Sequence, residues 1–203
     1  MKIICIGRNY IDHIKELSNQ KPLNPVVFLK PDSSIIAKNQ NFIIPSFSNE
    51  IHHEVELVIK INKVGKHIDK FFSHKYYDEI GLGIDFTARD IQNNLKEKGH
   101  PWEKSKAFDN SCMVGKFLKK EKLEDISKIE FSLIKNNELV QSGRSNDMLW
   151  KIDELISYVS QYFTLKIGDL IFTGTPSGVS KVESGDILEG YILTNKMFTL
   201  KVK

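Results

Sequence analysis

Two glutamates, Glu54 and Glu56, lie two positions apart in the segment HHEVELVIKI at residues 52–61. Because successive side chains of an extended strand point to opposite faces, both carboxylates are expected on one face, roughly 6.5 to 7 Å apart. Two carboxylates at that spacing can bind one hard divalent cation between their oxygens. The alternative is the solvated outer face of an edge strand, which is the commoner origin of an isolated pair of this kind.

A third carboxylate favours the metal interpretation. Asp85 ends a second apolar segment, EIGLGID, where the following loop would present its side chain outward instead of burying it unpaired. Three carboxylates with no cysteine and few histidines nearby suit Mg²⁺, Mn²⁺ or Ca²⁺ better than Zn²⁺. Asp85 could instead cap the helix that is predicted to follow it.

A histidine and a glutamate near the N-terminus could carry acid–base chemistry. His13 and Glu16 are three residues apart, so on a helix they share a face, and the carboxylate can orient the imidazole and favour its protonated form. Such a pair can take a proton from water, although a surface His–Glu pair is more often inert. Basic residues beside predicted turns could bind an acidic substrate: Arg8, Lys30, Arg89 and Lys106.

The segment TGTPSGV at residues 173–179 combines two glycines, a proline and three hydroxyl side chains. This composition fits a tight loop that turns backbone amides toward an anion, or else an ordinary turn. It is not a Walker loop, because no Gly-Lys-Ser/Thr follows, and the spacing in GLGID is not that of a dinucleotide-binding fingerprint.

The elements that must position these residues are mostly short strands. Hydrophobic periodicity predicts strands over 2–6 and 26–29, in NFIIP, through HHEVELVIKI as one alternating strand, and through the segment that ends at Asp85. Helices are predicted after Gly7, over about 88–98 with Gly99 as its stop, and in SNDMLWKIDELISYVSQYF with Ser145 or Asn146 as its cap. A loop is predicted to begin at Pro101-Trp102, a hairpin to turn at Asn136-Asn137, and the C-terminal third to form an irregular β fold.

Composition excludes several functional classes. A chain of 203 residues with 40% hydrophobic residues can bury one sizeable core, and a net charge of +3 without blocks of like charge gives no sign of a nucleic-acid or membrane surface. No signal peptide or membrane-spanning segment is apparent, and the two cysteines, Cys5 and Cys112, are expected to be buried and reduced. We therefore expect a cytoplasmic protein.

Six stretches, in this order, resemble the fumarylacetoacetate hydrolase family, in its short single-domain branch that includes acylpyruvases and oxaloacetate decarboxylases. The matching stretches are GRNYIDHIKE at 7–16, FLKPDSS at 28–34, HHEVEL at 52–57, GIDFTARDIQ at 83–92, GHPWEKSKAFD at 99–109 and GDLIFTGTPSGV at 168–179. The resemblance covers nearly the whole chain. It departs after the SGV turn, where Ser180-Lys181 replaces a more usual Gly-Pro, and it is loose after Gly190.

The resemblance implies a mainly β fold with short helices, the family's mixed β-sandwich roll, as a single catalytic domain over 1–203 and usually a homodimer. It implies Glu54, Glu56 and Asp85 as ligands of Mg²⁺ or Mn²⁺, with Ca²⁺ as a substitute in a crystal. It also implies that His13 and Glu16 are a catalytic pair on a short lid helix and that Lys106 positions the substrate. The substrate contacts that it implies are Arg89, Gln92, Thr173, Gly174 and Thr175, to which we add the basic residue Arg8.

The function expected from the resemblance is hydrolysis of an acylpyruvate such as acetylpyruvate or fumarylpyruvate. His13, oriented by Glu16, would deprotonate a water that attacks the distal carbonyl, and the pyruvate enolate would leave on the metal. Three carboxylates around Mg²⁺ leave the site near −1, so the anionic substrate needs Lys106 or Arg89 close by. Two alternatives use the same site: decarboxylation of oxaloacetate and isomerisation of 2-hydroxyhepta-2,4-diene-1,7-dioate. A third is a non-catalytic β domain stabilised by Ca²⁺.

Overall fold

Short strands dominate the architecture, as the sequence predicts. The computed structural model describes all residues, 1–203. Its strands are β1 (Ile3–Gly7), β2 (Val26–Lys30), β3 (Ile51–His53), β4 (Val55–Ile61), β5 (Tyr77–Asp85), β6 (Thr87–Ala88), β7 (Cys112–Lys119), β8 (Glu130–Lys135), β9 (Glu138–Arg144), β10 (Leu170–Phe172), β11 (Ser180–Lys181), β12 (Ile187–Ile192) and β13 (Asn195–Lys201). Its α-helices are α1 (Ile11–Glu16), α2 (Arg89–Glu97), α3 (Glu103–Lys106) and α4 (Ile152–Tyr162).

The strands form three sheets with a shared core. The six-stranded sheet has the order β2-β1-β10-β4-β5-β7, the three-stranded sheet β11-β3-β6 and the four-stranded sheet β13-β12-β8-β9. All neighbouring strands are antiparallel except β1 and β10, which run parallel. Strands β12 and β13 pack on β5, and β8 packs on β4, so that side chains from both sheets, among them Leu57, Leu82, Leu133 and Leu188, join one buried cluster of 35 residues.

Several predicted elements are confirmed. The hairpin of β8 and β9 turns at Asn136 and Asn137, whose φ angles of 52° and 69° are the positive values that a two-residue hairpin turn requires. Helix α2 is followed by Gly99 in the left-handed conformation, with φ +64°, which is the usual end of a helix. Both cysteines are buried and free.

The segment HHEVELVIKI differs from the prediction of one continuous strand. It divides at Glu54 into β3, which pairs with β6 and β11, and β4, which pairs with β5 and β10. The face that carries Glu54, Glu56 and Val58 is also buried, so the alternative of a solvated outer face is wrong. Because β4 lies inside the six-stranded sheet with neighbours on both sides, its charged side chains must find partners within the protein.

Three smaller predictions differ from the structure. The segment NFIIP forms only an isolated parallel bridge between Phe42 and Val202. The segment after Pro101-Trp102 includes the short helix α3 instead of continuing as a loop. Helix α4 begins later than expected, with Lys151 as its N-cap, because the Glu154 carboxylate accepts a hydrogen bond from the Lys151 backbone amide at 2.8 Å and so satisfies the first turn. None of the helices is long and apolar enough to cross a membrane.

Candidate active site

Three buried carboxylates converge where β4 and β5 lie side by side. Glu54 precedes β4, Glu56 is its second residue, and Asp85 ends β5, with its backbone amide donating to the Glu54 carbonyl at 2.8 Å. Each side chain offers one oxygen, and these three oxygens all lie within 4.8 Å of one another. The period of two along β4 and the antiparallel pairing with β5 together account for this convergence.

Buried cations contact two of the three carboxylates. Lys106 Nζ lies 2.8 Å from both Glu54 Oε2 and Asp85 Oδ2, and Arg89 Nη2 lies 2.5 Å from Glu54 Oε1. Burial alone would raise the pKa of the Glu54 carboxyl, but Lys106 and Arg89 hold it well below its usual range. Conversely, burial disfavours the Lys106 ammonium, yet Asp85 and Glu54 raise its pKa above the ordinary value. Glu54 and Lys106 are therefore both charged at neutral pH.

Glu56 has a different environment from Glu54, although both lie on the same strand face. No cation lies within ion-pair distance of its carboxylate, which accepts one backbone hydrogen bond, from the Gly174 amide at 2.7 Å. Burial, followed by the neighbouring charges of Asp85 and Glu54, raises the pKa of Glu56 well above its usual range. A positive charge placed among the three carboxylates would reverse this shift.

The predicted pair on α1 is present. His13 Nδ1 lies 3.1 Å from Glu16 Oε2, and the His13 side chain is buried whereas Glu16 is partly exposed. Burial lowers the pKa of His13, and the charges of Glu54 and Glu16 offset this only in part. Glu16 therefore favours the protonated form as expected, but burial outweighs it, so that His13 is mostly neutral at pH 7 and can accept a proton.

The loop at 173–179 does turn backbone amides toward anions, and those anions are carboxylates of the protein itself. The Gly174 amide donates to Glu56, and the Gly178 amide donates to Glu16 Oε1 at 2.9 Å. Only glycine fits at either position, because φ is +97° and +98° and an added Cβ would lie 2.7 Å from the Asn9 Cβ at Gly174 and 2.1 Å from a backbone oxygen at Gly178. One loop therefore orients both a candidate metal ligand and the residue that orients His13.

A pocket opens onto the three carboxylates. Nine of the predicted site residues line it: Arg8, His13, Glu54, Glu56, Asp85, Arg89, Gln92, Lys106 and Thr175. The other three do not. Glu16 contacts His13 from behind, the Thr173 hydroxyl donates to the Leu57 carbonyl at 3.0 Å, and Gly174 binds Glu56, so these residues act on the site through other groups.

Comparison with known proteins assigns the family. The model of the fumarylacetoacetate (FAA) hydrolase C-terminal domain matches residues 2–201. The chain belongs to the fumarylacetoacetate hydrolase family. Its fold is the β-rich fold of that family.

Relatives in this family carry names of enzymes that act on small oxo acids. Oxaloacetate tautomerase YcgM of Escherichia coli is 40% identical over 97% of this chain and 92% of its own length. A mitochondrial oxaloacetate decarboxylase of Dictyostelium discoideum is 42% identical over 93% of this chain and 87% of its own. The crystal structure of fumarylpyruvate hydrolase from Pseudomonas aeruginosa, in complex with Mn²⁺ and pyruvate, matches with a TM-score of 0.93 and 32% identity, covering 100% of this chain and 89% of that one.

The family resemblance to metal enzymes agrees with the donor set of this chain. Glu54, Glu56 and Asp85 offer only carboxylate oxygens, the ligands that Mg²⁺ and Mn²⁺ prefer. Burial and, after it, the charges of Asp85 and Glu54 raise the pKa of Glu56, and a divalent cation would offset both effects. The residues present therefore fit a hard divalent metal ion, which would share the oxygens of Glu54 and Asp85 with Lys106.

Sequence reasoning missed part of the site. The sequence indicates Lys30 only as a basic residue beside a turn, yet its side chain is fully buried and its Nζ lies 2.8 Å from Asp85 Oδ1. The sequence motifs do not include Lys96, although it follows Arg89 and Gln92 at helical spacing, which is a signal for a shared helix face. The pocket is also lined by residues with no sequence signal for a site: Ile6, Gly7, Leu17, Asn19, Phe28 and Trp102.

Proposed function

We propose that this chain is a divalent-metal-dependent enzyme that interconverts the keto and enol forms of oxaloacetate. The observation that carries the proposal is a neutral, buried imidazole, His13, in the same pocket as three convergent carboxylates. Keto–enol conversion needs a base for the proton on C3 and positive charge near the 2-oxo oxygen. The name of the 40% identical bacterial relative, oxaloacetate tautomerase, supports this choice of substrate.

The roles follow from the chemistry of each side chain. His13, oriented by Glu16, takes a proton from C3 of the substrate while the C–H electrons form the C2–C3 double bond and the C2 carbonyl electrons move to oxygen. That oxygen then receives a proton from the His13 imidazolium or from water, which gives the enol. Lys106 and Arg89 lie beside the carboxylates and bind the substrate's anionic groups, with Gln92 next to Arg89, whose Nη1 donates to Gln92 Oε1 at 2.6 Å. Mg²⁺ or Mn²⁺, held by Glu54, Glu56 and Asp85, would supply further positive charge at the 2-oxo oxygen.

Decarboxylation of oxaloacetate is the second candidate, and the name of the Dictyostelium relative supports it. In that reaction the bond between C3 and the departing carboxylate breaks, CO₂ leaves, and a proton is then added to C3, so no base is needed for the bond-breaking step. Acylpyruvate hydrolysis is the main expectation from the sequence, and oxaloacetate decarboxylation is one of its alternatives. The relatives' names agree better with the oxaloacetate reactions than with hydrolysis. The fumarylpyruvate hydrolase structure keeps hydrolysis as an outcome to be tested.

The test compares three reactions in the protein loaded with Mn²⁺: enol–keto conversion of oxaloacetate, formation of pyruvate from oxaloacetate, and cleavage of acetylpyruvate. The variant His13→Gln should lower the first rate by about 10²- to 10⁴-fold and the second much less, with Mn²⁺ affinity unchanged. The control His74→Gln changes an exposed histidine and should leave all three rates unchanged. Faster acetylpyruvate cleavage than oxaloacetate conversion by the unaltered protein would overturn the proposal in favour of the hydrolase.

The proposal also includes a cytoplasmic homodimer, as the family resemblance implies. Light scattering of the purified protein tests the oligomeric state.

A further inference from the structure

One face of α2 forms a wall of the pocket. Arg89, Gln92 and Lys96 follow one another at spacings of three and four residues, so they lie along one side of the helix, and all three line the pocket. Arg89 contacts Glu54, and Lys96 lies two turns farther along. Because helical side chains lean toward the helix N-terminus, the Lys96 side chain is directed back toward the carboxylates.

Lys96 and Arg8 differ from the other cations of the pocket, because neither has a carboxylate within ion-pair distance, whereas Arg89 and Lys106 do. The Lys96 ammonium lies 5.8 Å from the centre of the Trp102 ring, on an aromatic wall of the pocket. Arg8 has a φ of 58°, a conformation that is uncommon for a residue with a side chain and that clusters at functional sites. Two cations without a carboxylate partner therefore line the pocket, beside two cations that have one.

The formal charges of the pocket show what these two cations add. On formal charges, Glu54, Glu56 and Asp85 are equal in number to three buried cations, Lys30, Lys106 and Arg89, which contact Glu54 and Asp85 but not Glu56. A divalent metal ion would then bring two positive charges, and Arg8 with Lys96 brings two more. A substrate with a single carboxylate would leave most of this charge uncompensated, whereas a second carboxylate would find a partner.

The environment of Lys96 also favours an anionic ligand. Burial, together with the nearby charges of Arg89 and Arg8, lowers the pKa of Lys96 to about 8. The ammonium is thus held in surroundings that disfavour it, and a carboxylate beside it would remove that penalty.

We propose that Lys96, together with Arg8, binds a second carboxylate of the substrate at the end away from the carboxylate cluster, and so selects dicarboxylic over monocarboxylic 2-oxo acids. This inference deepens the proposed function and relies on it for the orientation of the substrate's first carboxylate.

The test measures binding without turnover, with two unreactive ligands that differ only at one end. Malate carries a carboxylate where 2-hydroxybutyrate carries a methyl group. Calorimetry on the Mn²⁺-loaded protein should show tighter binding of malate, and Lys96→Met should lower the malate/2-hydroxybutyrate affinity ratio by about 10- to 100-fold, the loss of one charge-assisted hydrogen bond. Lys96→Arg keeps the charge and should restore most of the ratio.

The matched control is Lys98→Met, which makes the same change at an exposed lysine just after α2 and should leave the ratio unaltered. The inference is overturned if the unaltered protein binds both ligands equally, or if Lys96→Met weakens both by the same factor. Failure of the proposed function is a separate result: the protein would then show the malate preference and its loss in Lys96→Met, yet would not interconvert the forms of oxaloacetate.

Discussion

Lys30 is a buried charge that contacts both a candidate metal ligand and the backbone. It ends β2, and its Nζ lies 2.8 Å from Asp85 Oδ1, 3.1 Å from the Ser111 carbonyl and 3.0 Å from the Ser111 hydroxyl oxygen, besides contacting the Lys106 carbonyl. The substitution Lys30→Met keeps the length of the side chain and removes its charge. Asp85 then loses a countercharge, and two backbone carbonyls lose a donor, in a buried region.

The expected cost follows from burial. Removing one partner of a buried ion pair typically costs about 3 to 5 kcal/mol, because the other charge stays buried without compensation. Lys106 still contacts Asp85 at 2.8 Å, so we expect the lower end of this range, about 3 kcal/mol in the free energy of unfolding. The control Lys60→Met breaks the pair with Glu79, also at 2.8 Å, but these side chains are 44% and 22% exposed, which predicts a loss below about 1 kcal/mol.

Urea unfolding, with EDTA and with saturating Mn²⁺, measures both effects. A metal ion at the carboxylate cluster would compensate the charge of Asp85, so the deficit of Lys30→Met should shrink when Mn²⁺ is present, which by linkage means that the variant binds Mn²⁺ more tightly. A loss in EDTA no larger than that of Lys60→Met would refute the reasoning. A large deficit that Mn²⁺ leaves unchanged would show that Lys30 acts on the backbone carbonyls and not on Asp85.

Two further predictions concern histidines. Glu16→Gln removes a charge that raises the pKa of His13, so the pKa of His13 should fall further below 6.5. The acid limb of the kcat/KM profile should then move to lower pH, and a limb that stays or moves to higher pH contradicts the assignment of His13 as the base. Burial lowers the pKa of His53 to about 4, so between pH 6.5 and 4 the unfolded chain binds more protons and stability falls as pH drops. Between pH 7.5 and 5 the loss in the free energy of unfolding from His53 amounts to about 2 kcal/mol. Urea unfolding should show this loss in the unaltered protein and not in His53→Gln, and equal pH slopes in the two proteins would count against the prediction.

The parts of the site that the sequence predicts are those governed by local periodicity. The spacing of Glu54 and Glu56 gives a shared face because side chains of a strand alternate, and the spacing of His13 and Glu16 gives a contact because they lie one helical turn apart. Both relations need no knowledge of the rest of the chain. Asp85 is predicted from its place at the end of an apolar strand, but only strand pairing brings it beside Glu54.

The parts that the sequence does not predict depend on pairing between distant segments. Gly174 and Glu56 are 118 positions apart, and nothing in the loop sequence indicates that its amide binds this carboxylate rather than a ligand. Lys30 and Asp85 belong to strands that are not neighbours in the six-stranded sheet, and the side chain of Lys30 joins them. A fully buried lysine of this kind is rare in proteins. Such contacts follow from the assembled sheets and have no local signature.

The division of the strand at Glu54 explains why two glutamates on one face behave differently. Glu54 lies at the junction with the three-stranded sheet, where the Thr87 hydroxyl donates to it at 2.8 Å. Lys106 and Arg89 pair with it and lower its pKa against the effect of burial. Glu56 stays within β4, has only the Gly174 amide as a donor, and has a raised pKa. A metal ion held by the three carboxylates would find a negative charge on Glu54 and would lower the raised pKa of Glu56. A core strand can carry this pair because the fold gives one glutamate two cations and the other a backbone amide.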